Sequence, residues 1–427
     1  MNLWYNYSRG DRLNMVINNI LAKNNICILV GLNSQGKTTI LSNFYDSNKK
    51  NSIFINNEVR ANEYIKNSAS NSPLIQWLQK LIEIKDIQDS INKQLSTIDL
   101  DDINKISKVD ISLSSSMDDY KGLVKVDIDT ASNQWHKPGS GETFLAELLL
   151  VKKMLNPSIK NPIKYLIIDE PETFLHPSLF SSVCKILNDI STYTKVLIAT
   201  HSPKFLEYMN VNLCSVAYVN DGDLFPLMSD LAYQNELNNI SLYSMILNYS
   251  DEELLKKHSY KNIRKIMSNF DKYFNIFIKP KIIQALFSKI VVIGEGRTEK
   301  ILFDCCKKEN RNMYSSQIEY IDFYGKEFML FFATIIQSIG IKVVLIFDYD
   351  INKSDELNLK LNKALINFPN IHFEKEIENY LNIKKEKNDD NFKSITSPMT
   401  IYDMYLDKNK DLFNLMHDLD VLIKSII

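Results

Sequence analysis

Residues 26–45, ICILVGLNSQGKTTILSNFY, decide the fold of the N-terminal half. Five apolar residues run into Gly31, and the residues after Lys37 carry a helical pattern without breakers, so the order is strand, loop, helix. Within this stretch Gly31-Leu32-Asn33-Ser34-Gln35-Gly36-Lys37-Thr38 matches the phosphate-binding loop pattern in full. Glycine supplies only 11 of the 427 residues, so a chance match has odds of roughly one in a few hundred before context is counted. Each part has a physical task. The glycines let backbone N–H groups curl around the β- and γ-phosphates of ATP, Lys37 adds a point charge, and the Thr38 hydroxyl ligates Mg²⁺. Asn33, Ser34, Gly36, Lys37, Thr38 and Thr39 are the expected nucleotide contacts.

Such a loop needs an acidic partner, and the apolar strand 164–168 runs into Asp169-Glu170-Pro171-Glu172. Asp169 is expected to hold Mg²⁺ through water and Glu170 to polarise the attacking water. After the next apolar strand, 195–199, comes Thr200-His201-Ser202-Pro203, which puts an imidazole at a neighbouring strand end within reach of the γ-phosphate. Ser202-Pro203 also suits a helix cap, in which case His201 is incidental. Pro138-Gly139-Ser140-Gly141-Glu142 places Ser140 at the start of a helix, ready for an anion. With a further helix near 177–190, helices alternate with fully apolar strands, the pattern of a largely parallel α/β sheet. Between these elements VDISLS and LVKVDID read as two strands flanking a turn near Asp118 and Asp119. Residues 74–98 read as a long helix, either an arm or an ordinary packed helix, so an insertion is expected over about 60–130.

A second alternating unit begins at Ile290: strand IVVI, helix near 298–308, strand IEYIDF, helix 327–338 and strand VVLIF. The first strand leads into Glu295 between two glycines, with Glu299 on the first turn of the following helix. The last leads into Asp348-Tyr349-Asp350. Residues two apart on extended backbone point the same way, so Asp348 and Asp350 can offer oxygens to one hard cation. Glu295 would complete an all-oxygen Mg²⁺ or Mn²⁺ site, with Glu299 available for a second ion. Either half alone is a weak signal, since an Asp-x-Asp after an apolar strand is more often a solvated turn; the combination on an alternating sheet pattern is much stronger. The polar, helical stretch between the units sets the expected domains at 1–227, a connector at 228–286, and 287–427.

Composition is that of a globular chain, 45% hydrophobic and 24% charged. A net charge of −2 excludes a uniformly basic nucleic-acid binder but allows a local Lys-rich groove. The N-terminus shows no signal-like apolar run, and nowhere do eighteen apolar residues follow one another, so no membrane association and a cytoplasmic location are expected. Five cysteines, at 27, 184, 214, 305 and 306, form no CxxC pair and are expected to be reduced.

On GLNSQGKTT, GSGE, YLIIDEPETFLHP and ATHSP, roughly residues 1–225 resemble the ABC-type ATPases of the RecF, SMC and OLD (overcoming lysogenisation defect) group. In that group the signature serine, here Ser140, acts in trans on a second subunit's nucleotide, so the resemblance implies a homodimer or a higher even oligomer, or a partner ATPase. GSGET departs from the group in lacking the usual leading residues. Glu295, Glu299, Asp348 and Asp350 resemble the acidic set of the TOPRIM domain, and FYGKEF resembles the Gly-Lys loop of its OLD version, in which Lys326 would stabilise a phosphoryl transition state. Glu374, Glu376 and Glu378 resemble a later acidic motif of such nucleases, and their alternation equally fits an exposed face.

An ABC-type P-loop ATPase domain, a helical connector and a doubly wound TOPRIM domain in one chain is similar to the OLD-family arrangement. That resemblance implies an ATP-regulated, metal-dependent DNA endonuclease of anti-phage defence, acting beside a neighbouring gene product such as a reverse transcriptase or helicase. A DNA-bound clamp or sensor with a non-catalytic TOPRIM domain that recruits a partner is the alternative. Against it stands the retention of four mutually repelling carboxylates, for which a purely structural domain has no use. For a topoisomerase or primase, too few residues remain after the TOPRIM strands.

Overall fold

The protein is seen in a computed structural model that describes residues 9–56, 109–114, 125–130, 140–155, 163–173, 175–227, 272, 274–314, 317–323, 326–349, 356–384 and 395–426. It divides into two compact units, Met1–Met228 and Ser229–Ile427.

The first unit runs α1 (Arg9–Asn24), β1 (Ile26–Val30), α2 (Lys37–Asn48), β2 (Ser52–Ile55), β3 (Val109–Ser114), β4 (Lys125–Thr130), α3 (Ser140–Met154), β5 (Tyr165–Asp169), α4 (Phe180–Ser191), β6 (Lys195–Ala199), α5 (Pro203–Met209), β7 (Val216–Asn220) and β8 (Asp223–Pro226). Six strands form one sheet in the order β2-β5-β6-β1-β7-β8. It is parallel except for β8, which turns back on β7. Strands β3 and β4 pair separately as an antiparallel ladder. Strand β1 is buried along its whole length, as its unbroken apolar run requires of a central strand covered on both faces. Its odd-numbered side chains, Cys27 and Leu29, pack with Ile167, Leu197 and Val219 against Ile17 and Leu21 of α1 and Ile40, Leu41 and Phe44 of α2. Each large side chain buried there contributes about 1.5–3 kcal/mol.

The second unit runs α6 (Lys279–Ala285), β9 (Ile290–Gly294), α7 (Arg297–Glu309), β10 (Ile318–Asp322), α8 (Lys326–Ser338), β11 (Lys342–Asp348), α9 (Glu356–Leu365), β12 (Asn370–Phe373), α10 (Ile377–Tyr380), α11 (Ser397–Leu406) and α12 (Lys410–Ile426). Its four strands, in the order β10-β9-β11-β12, are all parallel. Even-numbered residues Ile290, Val292, Ile318, Tyr320, Val344 and Ile346 form one core with α7, α11 and α12. On the opposite parity Phe323 meets Phe332 of α8, ring centroids 4.6 Å apart, and Lys281 of α6. The sheet is thus wound on both faces, the α/β architecture that alternation of apolar strands and helices implies.

The N-terminal helix α1, strand β12 and the closing helices α11 and α12 extend the architecture beyond the elements that the apolar runs mark. The long helix expected over 74–98 and the turn at Asp118 and Asp119 lie outside the described residues. So does most of the stretch read as a connector; its described end, α6, packs on β10 and α8 within the second unit. All five cysteines are free and buried. Among the described residues no helix is long and apolar enough to cross a membrane.

Candidate nucleotide and metal sites

Strand β6 lies between β5 and β1, with Leu29 and Asp169 both in register with Ala199. The loops that follow these three strands therefore leave the sheet at one level, at the carboxyl edge where open parallel sheets bind ligands. Gly31 opens the first loop with φ 144°, and a Cβ there would stand 2.5 Å from the Val219 carbonyl oxygen, so only glycine fits. The loop is braced by the β7–β8 turn. Gly222 N–H donates to the Gln35 carbonyl at 2.9 Å and Asp221 N–H to Gln35 Oε1 at 2.6 Å, while Arg9 reaches Asp223 at 3.2 Å.

Lys37 is buried, its Nζ donating to the carbonyls of Gly31 (2.9 Å) and Leu32 (2.8 Å). Burial pulls its pKa down, opposed by the carboxylates of Glu170, Asp169 and Glu172. Thr38 Oγ1 donates to Asp169 Oδ2 at 2.9 Å, so the hydroxyl and the carboxylate expected at one cation are already in contact. Asn33, Ser34 and Thr39 are exposed around the loop. Gly36 N-caps α2 in the left-handed region without a side-chain cap. Ser140 begins α3; Pro138 and Gly139 lie outside the described residues.

Glu170 sits at φ 46°, a conformation that costs a non-glycine residue about 1–3 kcal/mol and collects at functional positions. Its N–H donates to the Ala199 carbonyl at 2.8 Å, and its Oε1 lies 3.1 Å from His201 Nδ1. That hydrogen bond is the main reason the Glu170 carboxyl is held below, and the His201 imidazole above, its usual range. Beside the pair is a carboxylate that motif reading passed over. Glu172 is buried; its Oε1 accepts the Thr200 hydroxyl at 2.6 Å and the His201 N–H at 2.9 Å. Burial pushes its pKa up.

In the second unit Gly294 ends β9 where a Cβ would lie 2.2 Å from Tyr320 Oη and 2.8 Å from Glu299 Cβ. The Tyr320 hydroxyl donates to the Gly296 carbonyl at 2.6 Å, and Gly296 N–H donates to Glu299 Oε2 at 2.9 Å, fixing the turn that carries Glu295. Glu295 Oε1 accepts the Asp348 N–H at 3.0 Å, which ties the ends of β9 and β11 together, and Asp348 Oδ1 accepts the Ile377 N–H at 3.2 Å. Glu299 is buried, and its pKa is pushed up to about 8, by burial first and then by the like charges of Asp348, Glu295 and Glu378.

Of the later acidic residues, Glu374 is exposed, Glu376 half-buried and Glu378 buried. Glu378 Oε1 accepts from Thr298 Oγ1 (3.1 Å) and Ser397 Oγ (3.0 Å), and its buried Oε2 has no hydrogen-bond partner among the described residues. Lys326 is buried at the start of α8, and Asp350 lies outside the described residues. This all-oxygen, mutually repelling set fits a hard divalent cation. It is not a closed cage: Glu295 and Asp348 each give an oxygen to a backbone amide. Among the described residues no group of three or more His, Cys, Asp or Glu stands close enough to hold a metal ion.

Residues 143–207 match the family described as AAA domain, putative AbiEii toxin, Type IV TA system, and residues 286–350 match the overcoming lysogenization defect protein-like TOPRIM domain. The chain is 24% identical over 298 residues to an endonuclease GajA of Bacillus cereus (strain HuB5-5), covering 65% of this chain and 40% of that protein. To the endonuclease GajA of strain VD045 it is 21% identical, over 65% of this chain and 41% of that protein. It is also 28% identical over 211 residues to the Old nuclease of Escherichia phage P2, covering 48% of this chain and 30% of that protein. The chain thus spans less than half the length of these relatives. The chain carries a segment that matches an AAA domain and, after it, one that matches an OLD-like TOPRIM domain, an order that resembles the OLD-family arrangement.

Proposed function

We propose that this chain is an ATP-regulated, metal-dependent DNA endonuclease of anti-phage defence. The observation that carries the reading is that Glu295, Glu299, Asp348 and Glu378 lie within electrostatic reach of one another at the carboxyl edge of a parallel sheet, where burial first, and their like charges second, push the Glu299 carboxyl up to about 8. Gathering like charges costs stability, and a divalent cation held among them would offset that cost. The relatives' names, endonuclease and nuclease, support the same chemistry. A divalent ion bound there, Mg²⁺ or Mn²⁺, supplies activation of water and neutralises charge developing on a phosphodiester. Glu295, Asp348 and Asp350 would hold it, Glu299 would serve a second ion, and Lys326 would meet the anionic phosphoryl group.

In the first unit the phosphate loop from Asn33 to Thr39 binds ATP. Thr38 and Asp169 hold its Mg²⁺, Glu170 takes up the proton of the attacking water, and His201 touches the γ-phosphate. ATP binding or hydrolysis in turn sets when the nuclease acts, a coupling between two chemically separate sites. Ser140 serving a second copy's nucleotide makes the active form a dimer or higher even oligomer, working in the cytoplasm beside a neighbouring defence protein such as a reverse transcriptase or helicase.

The test incubates the protein with linear and supercoiled DNA, with Mg²⁺ or Mn²⁺ and with EDTA, each with and without ATP and the product of the adjacent gene. Cleavage that disappears with EDTA is expected. If no combination yields cutting while the protein still binds DNA, the clamp or sensor takes the place of the nuclease.

A further inference from the structure

We propose that Glu172 is a positioning residue for ATP hydrolysis, holding the turn of Thr200 and His201 so that the imidazole meets Glu170. The inference rests on reading the first unit as an ATPase and deepens it. His201 Nδ1 lies 3.1 Å from Glu170 Oε1, and the two side chains are 41% and 26% exposed; the Thr173 hydroxyl steadies the other Glu170 oxygen, Oε2, at 3.2 Å. Glu172 is different. Its side chain is 5% exposed, and one oxygen, Oε1, gathers the Thr200 hydroxyl at 2.6 Å and the His201 amide at 2.9 Å, with His201 Nδ1 at 3.4 Å.

The order extends along the chain from there. Thr200 Oγ1 accepts the Ser202 N–H at 3.0 Å, Ser202 Oγ caps α5 by accepting the Phe205 N–H at 3.1 Å, and Thr200 N–H donates to the Leu29 carbonyl at 3.0 Å. Leu29 is one residue from the end of β1, which feeds the phosphate loop. One buried carboxylate thus ties the strand end that carries Glu170 to the turn that carries His201, and that turn is hydrogen-bonded to the strand behind Lys37. Burying a carboxylate for packing alone would be costly. Its second oxygen, Oε2, is also buried and accepts no hydrogen bond among the described residues, so the placement is not explained by satisfying the carboxylate itself. Two donors gathered on Oε1 explain it: a single acceptor sets a backbone amide and the neighbouring hydroxyl at once.

Steady-state ATP hydrolysis and the affinity for a fluorescent ATP analogue are measured for the full chain and for Glu172→Ala, Glu172→Gln, His201→Ala and Glu172→Ala combined with His201→Ala. A misplaced catalytic contact costs rate more than binding. Glu172→Ala is expected to lower kcat about thirtyfold with the analogue's Kd within about threefold. Glu172→Gln, which keeps an acceptor oxygen, should recover most of the rate. In the His201→Ala background the alanine at 172 should cost less than about twofold more, since its effect runs through the imidazole. Should Glu172→Ala fail to fold, Thr200→Val removes one of the two donors and should show a smaller loss with the same dependence on His201. Losses that multiply, a glutamine as poor as alanine, or a fall in affinity matching the fall in rate would overturn the proposal alone. A His201→Ala variant as fast as wild type would overturn the proposal and leave the ATPase reading standing, whereas a wild-type protein that hydrolyses no ATP would sink that reading and the proposal with it.

Discussion

The Thr38 hydroxyl donates to Asp169 Oδ2 at 2.9 Å, joining the first turn of α2 to the end of β5 across 131 residues of sequence. If both groups serve one Mg²⁺, their mutual hydrogen bond is the arrangement that the ion displaces, and deleting the hydroxyl should matter only when the ion is there. Thr38→Val is therefore expected to weaken binding of Mg²⁺-ATP about tenfold, while Mg²⁺-free nucleotide measured in EDTA binds within about twofold of wild type. Equal weakening in both conditions would mean that the hydroxyl touches the nucleotide directly.

Lys37 and Glu170 should separate binding from chemistry. Lys37 is buried against its own loop's carbonyls, where only a phosphate offers better partners for the ammonium group. Lys37→Ala is expected to abolish tight ATP binding, and Glu170→Gln to keep it while lowering hydrolysis about a hundredfold or more, because the amide cannot take up the water's proton. Calorimetry and a phosphate-release assay measure the two quantities. Unchanged affinity in the Lys37 variant would mean that the loop has been misread.

How far the sequence exposes this structure depends on what each element is made of. Strands β1, β5, β6, β9 and β11 are covered on both faces and show as unbroken apolar runs, so their positions are legible to within a residue or two. Strand β12, Asn370–Phe373, buries only Phe373 and gives no such run. The same difference separates the site residues. Gly31, Lys37 and Asp169 stand in spacings that match a phosphate-binding loop and its acidic partner, whereas Glu172 and Glu378 stand out by their burial, which spacing does not report. The alternation of Glu374, Glu376 and Glu378 suggests one exposed face, but the backbone passes from extended at Glu376 into a helical turn at Ile377, and this sends Glu378 inward.

The second unit's helical cover offers a test of stability apart from chemistry. Asp420 of α12 is buried and accepts the Tyr314 hydroxyl at 2.7 Å together with the Asn310 amide, fastening the closing helix to the end of α7. Burial, ahead of the neighbouring Cys306 and Asp420, raises the Tyr314 hydroxyl far above its ordinary range, so it remains a donor at any working pH. Asp420→Ala leaves that donor without its acceptor and is expected to destabilise the unit by about 2–3 kcal/mol, with Asp420→Asn costing less. Urea unfolding of the full chain, followed by a probe in the second unit, gives the comparison. An alanine variant as stable as wild type would show that α12 is held by its apolar face alone.

The most discriminating substitutions are those at the acidic edge of the second unit. Glu295→Ala, Asp348→Ala and Asp350→Ala are each expected to reduce DNA cleavage about a hundredfold or more and to leave ATP hydrolysis within a few-fold of wild type. Glu295→Ala also releases the Asp348 amide that Glu295 Oε1 accepts, so part of its loss is positional, whereas Asp348→Ala removes the acceptor of the Ile377 amide. The positional part should leave a signature: raising Mn²⁺ should restore some cutting where a ligand is merely displaced and none where the bound ion has lost too many oxygens. ATP chemistry is expected to use an ion held by Thr38 and Asp169 in the other unit, so its rate checks that the first unit is intact, and urea unfolding followed in the second unit checks that each variant is folded there. The measurement needs cleavage and phosphate release on the same samples, with nucleotide and any neighbouring gene product present, since a gated nuclease stays silent without its trigger. Equal cutting by a fully triggered protein after all three replacements would remove the nuclease from this domain.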